Sequence, residues 1–225
     1  MEGIVHHARA ANPAMDIVFV YTTNEGHVRN YQRGVEPQEI AAHRQVAAHY
    51  GLAEVNWAAE ISERLRMGEF DWKKFGGCHP APFGNDLYAV TLSGLFARAW
   101  DKDLPAEAKM EPAAMPEQPL DPLHYGRGRF LKPDQVTLGD GWRHDKPKWG
   151  EIKGSKRGRF TGIPLFHAAT PGATLKYEFE GTSTGLYVVA GPDAGSVETS
   201  IDGGEFASCN LFHGHSRGLH YPRTV

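Results

Sequence analysis

The sequence of 225 residues has few cysteines, no long apolar run and little net charge. Its two cysteines, Cys78 and Cys209, lie far apart in the chain and form neither a disulfide framework nor a zinc-binding pattern. No apolar run approaches the roughly 18 residues that a membrane span needs. A formal charge of −3 provides no overall attraction to nucleic acid, and no recognition motif for nucleic acid is present. We therefore expect neither a nucleic acid nor a membrane as the partner.

The N-terminal residues, "MEGIVHHARAANP", also lack the apolar segment of a signal peptide. Glycine and proline, by contrast, are abundant, with 26 and 15 residues. This composition predicts many turns and loops. The residues do not specify an oligomeric state.

The first hundred residues are predicted to alternate between helices and strands. Helices are expected over Met1–Asn12, from Pro37 to Tyr50, from about Ala58 to Met67 and up to about Trp100, and "DIVFVYT" and "AEVNWA" are expected to be strands. This order indicates βα units, a parallel sheet and ligands at the carboxyl ends of its strands. Doubly wound sheets normally have about five strands. We therefore interpret residues 1–100 as the C-terminal half of an α/β domain.

Residues 101–123 are predicted to be a linker, because five prolines interrupt alanine and acidic residues without any helical or strand period. From residue 124 onward the pattern changes to β: apolar residues alternate with polar ones over residues 175–180, and Asp202-Gly203 between two alternating runs predicts a hairpin. We interpret residues 124–225 as an all-β sandwich or jelly roll. Because few strands are visible and the sequence ends in a strand-like run, we expect this module to be incomplete.

The stretch "FGGCHPAPFGNDLYA" places His79 between a glycine-rich turn and two prolines. The prolines stiffen the loop, and Gly84-Asn85 is expected to cap the helix that follows. An imidazole on a rigid loop suits proton transfer, since its reference pKa is about 6.5. The residues alone leave open a loop histidine that is hydrogen-bonded to backbone groups.

Residues Met1–Trp100 resemble the C-terminal half of the SGNH (GDSL-type) hydrolases. The segments that carry the match are "GIVHHARAANPAMDIVFVYT" and "HPAPFGNDLYA", which resembles the final conserved block of that family. The resemblance implies a three-layer α/β/α, flavodoxin-like fold in which a serine attacks an ester carbonyl and the block histidine takes its proton. It thus implies that His79 is the base. It also favours an ester substrate, either a small molecule or a glycan, and a secreted or periplasmic protein.

Two departures from the family pattern matter. The family has an acidic residue three positions before the histidine, and this chain has Gly76 there. Two interpretations stay open: Asp71, Glu25 or a main-chain carbonyl orients the ring, or the enzyme uses a Ser–His dyad without an orienting acid. The family's serine, glycine and asparagine motifs precede the segment that matches, so this chain is interpreted as a fragment without the nucleophile. We expect it to be inactive alone. The alternative is a non-catalytic carbohydrate-binding or structural protein.

Three other patterns have simpler interpretations. "GTSTG" fits a nucleophile elbow, but Ser183 lies between two β runs, where a hairpin turn explains the glycines. Cys78, next to the candidate base, is interpreted as packed and inert, because adjacent residues of an extended segment point to opposite sides. His213, His215 and His220 have no accompanying carboxylate or cysteine, so we expect a solvated cluster, with no metal and no other cofactor.

A basic stretch begins the β module. It runs from Arg127 to Arg159 and has ten basic residues against four acidic ones, with Trp142, Trp149 and Phe160 interleaved. This pattern is compatible with an anionic or sugar ligand, and also with an ordinary solvated face.

Overall fold

The computed structural model describes all 225 residues, and the chain divides into two units between Gly128 and Arg129. The first unit is mixed α/β, and the second consists of short antiparallel strands with single-turn helices. None of the helices is both long and apolar enough to span a bilayer.

The first unit contains six helices and one pair of strands. In chain order these are α1 (Glu2–Ala11), β1 (Val18–Val20), α2 (Glu25–Gln32), α3 (Gln38–His49), β2 (Ala53–Val55), α4 (Trp57–Arg66), α5 (Trp72–Phe75) and α6 (Pro82–Ala99). The strands β1 and β2 are parallel, with Phe19 opposite Glu54. The predicted helices and both predicted strands are therefore confirmed, although both strands are shorter than expected, with β2 ending at Val55 before the cap of α4. The three-layer arrangement stays a prediction.

Capping side chains mark where three of these helices begin. Asn24, Asn56 and Asp71 each precede a helix, and each accepts a hydrogen bond from the backbone N–H three residues further along, at 3.0, 3.0 and 2.6 Å. Such caps satisfy donors that a helix cannot satisfy itself. Two of the caps, Asn24 and Asp71, start the helices that flank the candidate site.

Two apolar clusters hold the first unit together. The first cluster joins α1, β1, α3 and the start of α4, and its buried members are Val5, Phe19, Tyr21, Ile40, Val46, Ala47, Tyr50 and Ala58. The second cluster joins α4, α5 and α6 through Ile61, Phe70, Phe75 and Tyr88. Phe75 is completely buried, and the rings of Trp57 and Tyr88 stack at 3.9 Å. The second cluster fixes the loop that carries His79, because this loop connects α5 to α6.

Residues 101–123, for which the sequence predicts a linker, contain no helix or strand. Part of this segment is nevertheless bonded to the first unit. The buried carboxylate of Glu2 accepts hydrogen bonds from the backbone N–H groups of Leu120 and Asp121 at 2.7 and 2.9 Å, and the N–H of Ala113 donates to Pro13 O at 2.8 Å. We call residues 113–121 the strap.

The second unit contains eight strands in four separate antiparallel pairs. The strands are β3 (Val136–Leu138), β4 (Trp142–Asp145), β5 (Leu165–Ala168), β6 (Leu175–Tyr177), β7 (Tyr187–Ala190), β8 (Ser196–Thr199), β9 (Ala207–Asn210) and β10 (Tyr221–Thr224), with α7 (Gly158–Thr161) between β4 and β5. The pairs are β3–β6, β4–β5, β7–β10 and β8–β9. Antiparallel β structure is confirmed, and the sandwich stays a prediction.

One hairpin prediction is confirmed and another is wrong. Asp202 and Gly203 have φ angles of 53° and 74° in the loop between β8 and β9, as a tight hairpin turn requires. The turn predicted around Ser183 does not join a hairpin, because β6 pairs with β3 and β7 pairs with β10. Ser183 is exposed in a loop without a following helix, so the nucleophile-elbow geometry is absent there.

Candidate active site

His79 lies on a tight loop between α5 and α6. The loop begins with Gly76 and Gly77, whose φ angles of 101° and 79° fall in the left-handed region that only glycine adopts readily. The N–H of Ala81 donates to Phe75 O at 2.9 Å and closes the loop. Because Phe75 is buried and Pro80 follows the histidine, the backbone at His79 is held on both sides.

The start of α6 differs from the expectation. Ala81 is the N-cap residue and Pro82 occupies the first turn, so the prediction that Gly84-Asn85 caps this helix is wrong. Gly84 instead allows close packing: a Cβ atom there would lie 2.5 Å from Phe75 O and 2.9 Å from Pro80 Cβ. Asn85 donates from Nδ2 to Pro80 O at 3.2 Å. Both residues therefore fix the loop from inside the helix.

The imidazole of His79 is exposed and borders an open depression of about 470 Å³. Hydrogen bonds to other protein groups are absent at this ring. The depression is lined by Asn24, Glu25, Gly26, Trp72, Gly76, Gly77, Cys78 and His79. The alternative of a loop histidine that is hydrogen-bonded to backbone groups is therefore wrong for His79. A free imidazole in a depression of this size is available to a ligand.

Of the acidic residues considered as orienting groups, Glu25 shares this depression and Asp71 does not line it. The Oδ1 atom of Asp71 accepts the backbone N–H of Lys74 at 2.6 Å, so Asp71 is engaged as a helix cap. Glu25 lies in the first turn of α2, with Oε2 3.4 Å from Arg29 Nη1, and both side chains are largely exposed. Glu25 is thus the carboxylate that the fold brings to the site.

Cys78 is exposed and lines the same depression, so its interpretation as a packed residue is wrong. The reason is the pair of left-handed glycines before it, which turn the chain where an extended segment was expected. The Cys78 sulfur and the His79 ring form no hydrogen bond with each other.

Sequence reasoning missed α2, which contributes Asn24, Glu25 and Gly26 to the depression. His27, on the same helix, has Nδ1 3.1 Å from Thr22 O and Nε2 2.7 Å from Glu39 Oε1, which ties α2 to α3. The available signal was the sequence "TNEG", in which asparagine followed by glutamate is typical of a helix start.

The histidines near the C-terminus do not form one solvated cluster. His213 precedes a 3-10 turn over Gly214–Arg217 as its N-cap residue, and His215 lies within that turn, with the two ring centroids 5.8 Å apart. His220 is 3% exposed, and its Nε2 atom lies 2.9 Å from Asp193 Oδ1, so the expectation of a solvated side chain is wrong for this residue. The His220 ring packs edge-on against Trp149 at 5.2 Å. His220 is therefore part of the packing of the second unit.

Trp142 and Trp149 are partly buried and Phe160 is buried, whereas Phe130 and most of the charged residues of the basic stretch are exposed. Phe160 is 8% exposed, and the indole Nε1 atoms of Trp142 and Trp149 are buried without a hydrogen-bond partner. These rings are therefore packed within the second unit.

No protein-family model and no curated protein matches this sequence. Among solved structures, the chain is similar to a two-domain esterase that is active on acetylated mannans, with a TM-score of 0.68 and 17% sequence identity. The similarity covers 100% of this chain, which spans 58% of that esterase. The chain therefore has the fold of part of a two-domain esterase.

Proposed function

We propose that this chain carries the histidine half of an ester hydrolase site of the SGNH type, in a protein that removes acyl groups from carbohydrate. Residues 1–100 would be the C-terminal half of the hydrolase domain, residues 101–123 the linker and residues 124–225 a β-sandwich accessory module. The observation that carries the proposal is the free imidazole of His79 in an open depression that Glu25 also lines. Asn24, which follows β1, also lines this depression, as expected of a ligand site at the carboxyl end of a parallel strand.

In the proposed reaction, His79 takes the proton from a serine hydroxyl as its oxygen attacks the ester carbonyl. The imidazolium then returns the proton to the leaving alkoxide, and the same ring activates water for deacylation. Glu25 would stabilise and orient the imidazolium, since the acid position of the family is Gly76. No serine lines the depression, so the proposal requires a nucleophile that another segment supplies.

The fold supports the substrate class. The similar esterase acts on acetylated mannans, and this chain has the same fold over its whole length. An acetylated polysaccharide is therefore the substrate that we propose.

The test is acetyl release from acetylated mannan by the longest product of the gene and by the 225-residue chain. We expect release by a product that includes an in-frame Gly-Asp-Ser segment, and none by the 225-residue chain. Release that survives His79→Asn, or its absence from every product, would contradict the proposal. Turnover by the 225-residue chain that is lost in Cys78→Ala would identify a cysteine nucleophile instead of a serine.

The lack of a serine in the depression also supports a second candidate, a non-catalytic carbohydrate-binding protein. In that case every gene product would bind glycan, and none would release acetate.

A further inference from the structure

Trp72 is the largest side chain that lines the depression beside His79. It belongs to α5, is partly exposed, and stacks on Phe75 with ring centroids 5.3 Å apart and an interplanar angle of 25°. Phe75 is completely buried, so the indole is supported from the core side. Gly77 lines the depression next to the indole, since a Cβ atom at position 77 would lie 4.0 Å from Trp72 Nε1, so no side chain from this residue covers the ring. The ring is held in place and accessible.

Two depressions share Trp72. The first, of about 470 Å³, includes His79, and the second, of about 210 Å³, is lined by Glu25, Val28, Arg29 and Trp72. The larger volume lies within the range of about 300–1,000 Å³ that is typical of small-molecule sites. Because Trp72 and Glu25 belong to both, a ligand longer than one ring can extend from His79 across the indole.

The lining groups favour a neutral ligand. The carboxylate of Glu25 lies 3.4 Å from the guanidinium of Arg29, so the two formal charges of the site offset each other. The remaining polar groups, on Asn24 and His79, are uncharged donors and acceptors when the imidazole is neutral. One aromatic face surrounded by such groups matches a sugar ring, which has an apolar face of C–H groups and hydroxyls around its rim.

We propose that Trp72 is the stacking platform for a hexopyranose of a neutral oligosaccharide, next to the ring whose ester faces His79. This inference specifies the substrate of the proposed function, and it depends on that function for the claim that the bound sugar carries an ester. The stacking itself does not require His79 to act as a base.

The test uses the indole N–H signals of the five tryptophans in the 15N-labelled 225-residue chain. Trp72→Phe removes one signal and thereby assigns it, and Trp100→Phe assigns the signal of a 74% exposed tryptophan at the end of α6 as the matched control. Acetylated mannotetraose is the probe, and an oligogalacturonate of similar length is the anionic control.

We expect the mannotetraose to shift the Trp72 signal and not the Trp100 signal, and the oligogalacturonate to shift neither. Trp72→Ala should weaken binding about tenfold or more, as removal of a central aromatic anchor does, while His79→Asn should leave it within about threefold, since it keeps a polar side chain there. Shifts confined to tryptophan signals other than that of Trp72, or no shift at all, would overturn the inference.

These results are separable from the proposed function. Oligosaccharide binding that depends on Trp72, in a protein that releases no acetate, would support the stacking role of Trp72 and contradict the proposed esterase activity. Acetyl release that depends on His79, with full activity and binding in Trp72→Ala, would support the proposed esterase activity and contradict the stacking role of Trp72.

Discussion

Gly76 and Ala81 approach each other so closely that no side chain fits at position 76. A Cβ atom on Gly76 would overlap the backbone nitrogen of Ala81 and lie 2.8 Å from its Cβ atom. The backbone of Gly76 also has a φ of 101°. The position three before His79, where the proposed SGNH resemblance expects an acidic residue, is therefore closed to aspartate in this loop, and under that proposal the orienting carboxylate has to come from another element.

Gly76→Asp should destabilise the protein and should not create a Ser–His–Asp arrangement. We expect a loss of at least about 2 kcal/mol in the free energy of unfolding, because the left-handed backbone and the overlap with Ala81 both oppose a side chain. Urea unfolding of Gly76→Ala and Gly77→Ala separates the two effects. Gly77 has a similar φ of 79° but its only neighbour is 4.0 Å away, so it reports the backbone cost alone. Equal losses in the two alanine variants would contradict the steric explanation.

Two glycines of α6 should respond to alanine in opposite directions. Gly84→Ala should cost about 2 kcal/mol or more, because its Cβ atom would press on Phe75 and Pro80, which shape the His79 loop. Gly94→Ala meets only the end of the Arg98 side chain, 3.5 Å away, and should stabilise the helix by up to about 1 kcal/mol. Thermal unfolding of the two variants checks this prediction, and a stabilised Gly84→Ala would contradict it.

The strap should detach when Glu2 loses its carboxylate. Glu2 Oε1 accepts hydrogen bonds from Tyr50 Oη at 2.5 Å and from Leu120 N, and Oε2 accepts one from Asp121 N. Glu2→Gln presents an N–H group to one of these donors, so we expect a loss of about 2–3 kcal/mol in unfolding free energy. Faster amide exchange at Leu120 and Asp121 would report the release locally. Glu63→Gln, on an exposed carboxylate, is the control and should leave both amides protected.

Acid should weaken the same region in two stages. Burial and the His124 ring, stacked at 4.0 Å, lower the pKa of His6 below 6.5, against the opposing effect of Glu2. Burial alone would raise the pKa of Glu2, but hydrogen bonds from Tyr50 and the strap lower it below 4.5. Both groups bind protons more readily when unfolded, so stability should fall as the pH drops below 6.5 and fall further below 4.5.

Urea unfolding across this pH range measures the effect. His6→Asn should reduce the slope of the upper part of the profile, to which His43 also contributes because burial lowers its pKa, and should leave the lower part. A wild-type stability that rises between pH 6.5 and 4.5 would contradict the assignment.

The elements of the fold that could be predicted are those in which the sequence pattern indicates which side chains are buried or where the element ends. Apolar residues at helical spacing predicted α1 and α6, and Pro37 and Gly51 marked the ends of α3. In contrast, α2 ("EGHVRNYQ") has no buried residue and no such pattern. Alternation and the Asp202-Gly203 turn indicated β segments from residue 175 onward but did not locate β3, β4 or β5. Pairing such as β7 with β10 joins residues more than thirty positions apart and depends on the whole unit.

Within the site, the loop of His79 was predictable and its surroundings were not. The glycines and prolines around His79 marked a fixed loop, yet the exposure of Cys78 follows from two left-handed residues that a sequence does not distinguish from other glycines. Glu25 and Trp72 line the same depression as His79 because of the way α2 and α5 pack, and no local sequence pattern encodes this packing.

The most direct test of the central proposal is the kcat/KM for acetyl release from acetylated mannan by the longest gene product, compared between wild type, His79→Asn and His7→Asn. His7 is an exposed histidine of α1 outside the depression and is the matched control. We predict that His79→Asn lowers kcat/KM by a factor of about 10³ or more with little change in KM, as loss of a general base does, and that His7→Asn has no effect. Equal activity in the His79 and His7 variants would contradict the assignment of His79 as the base.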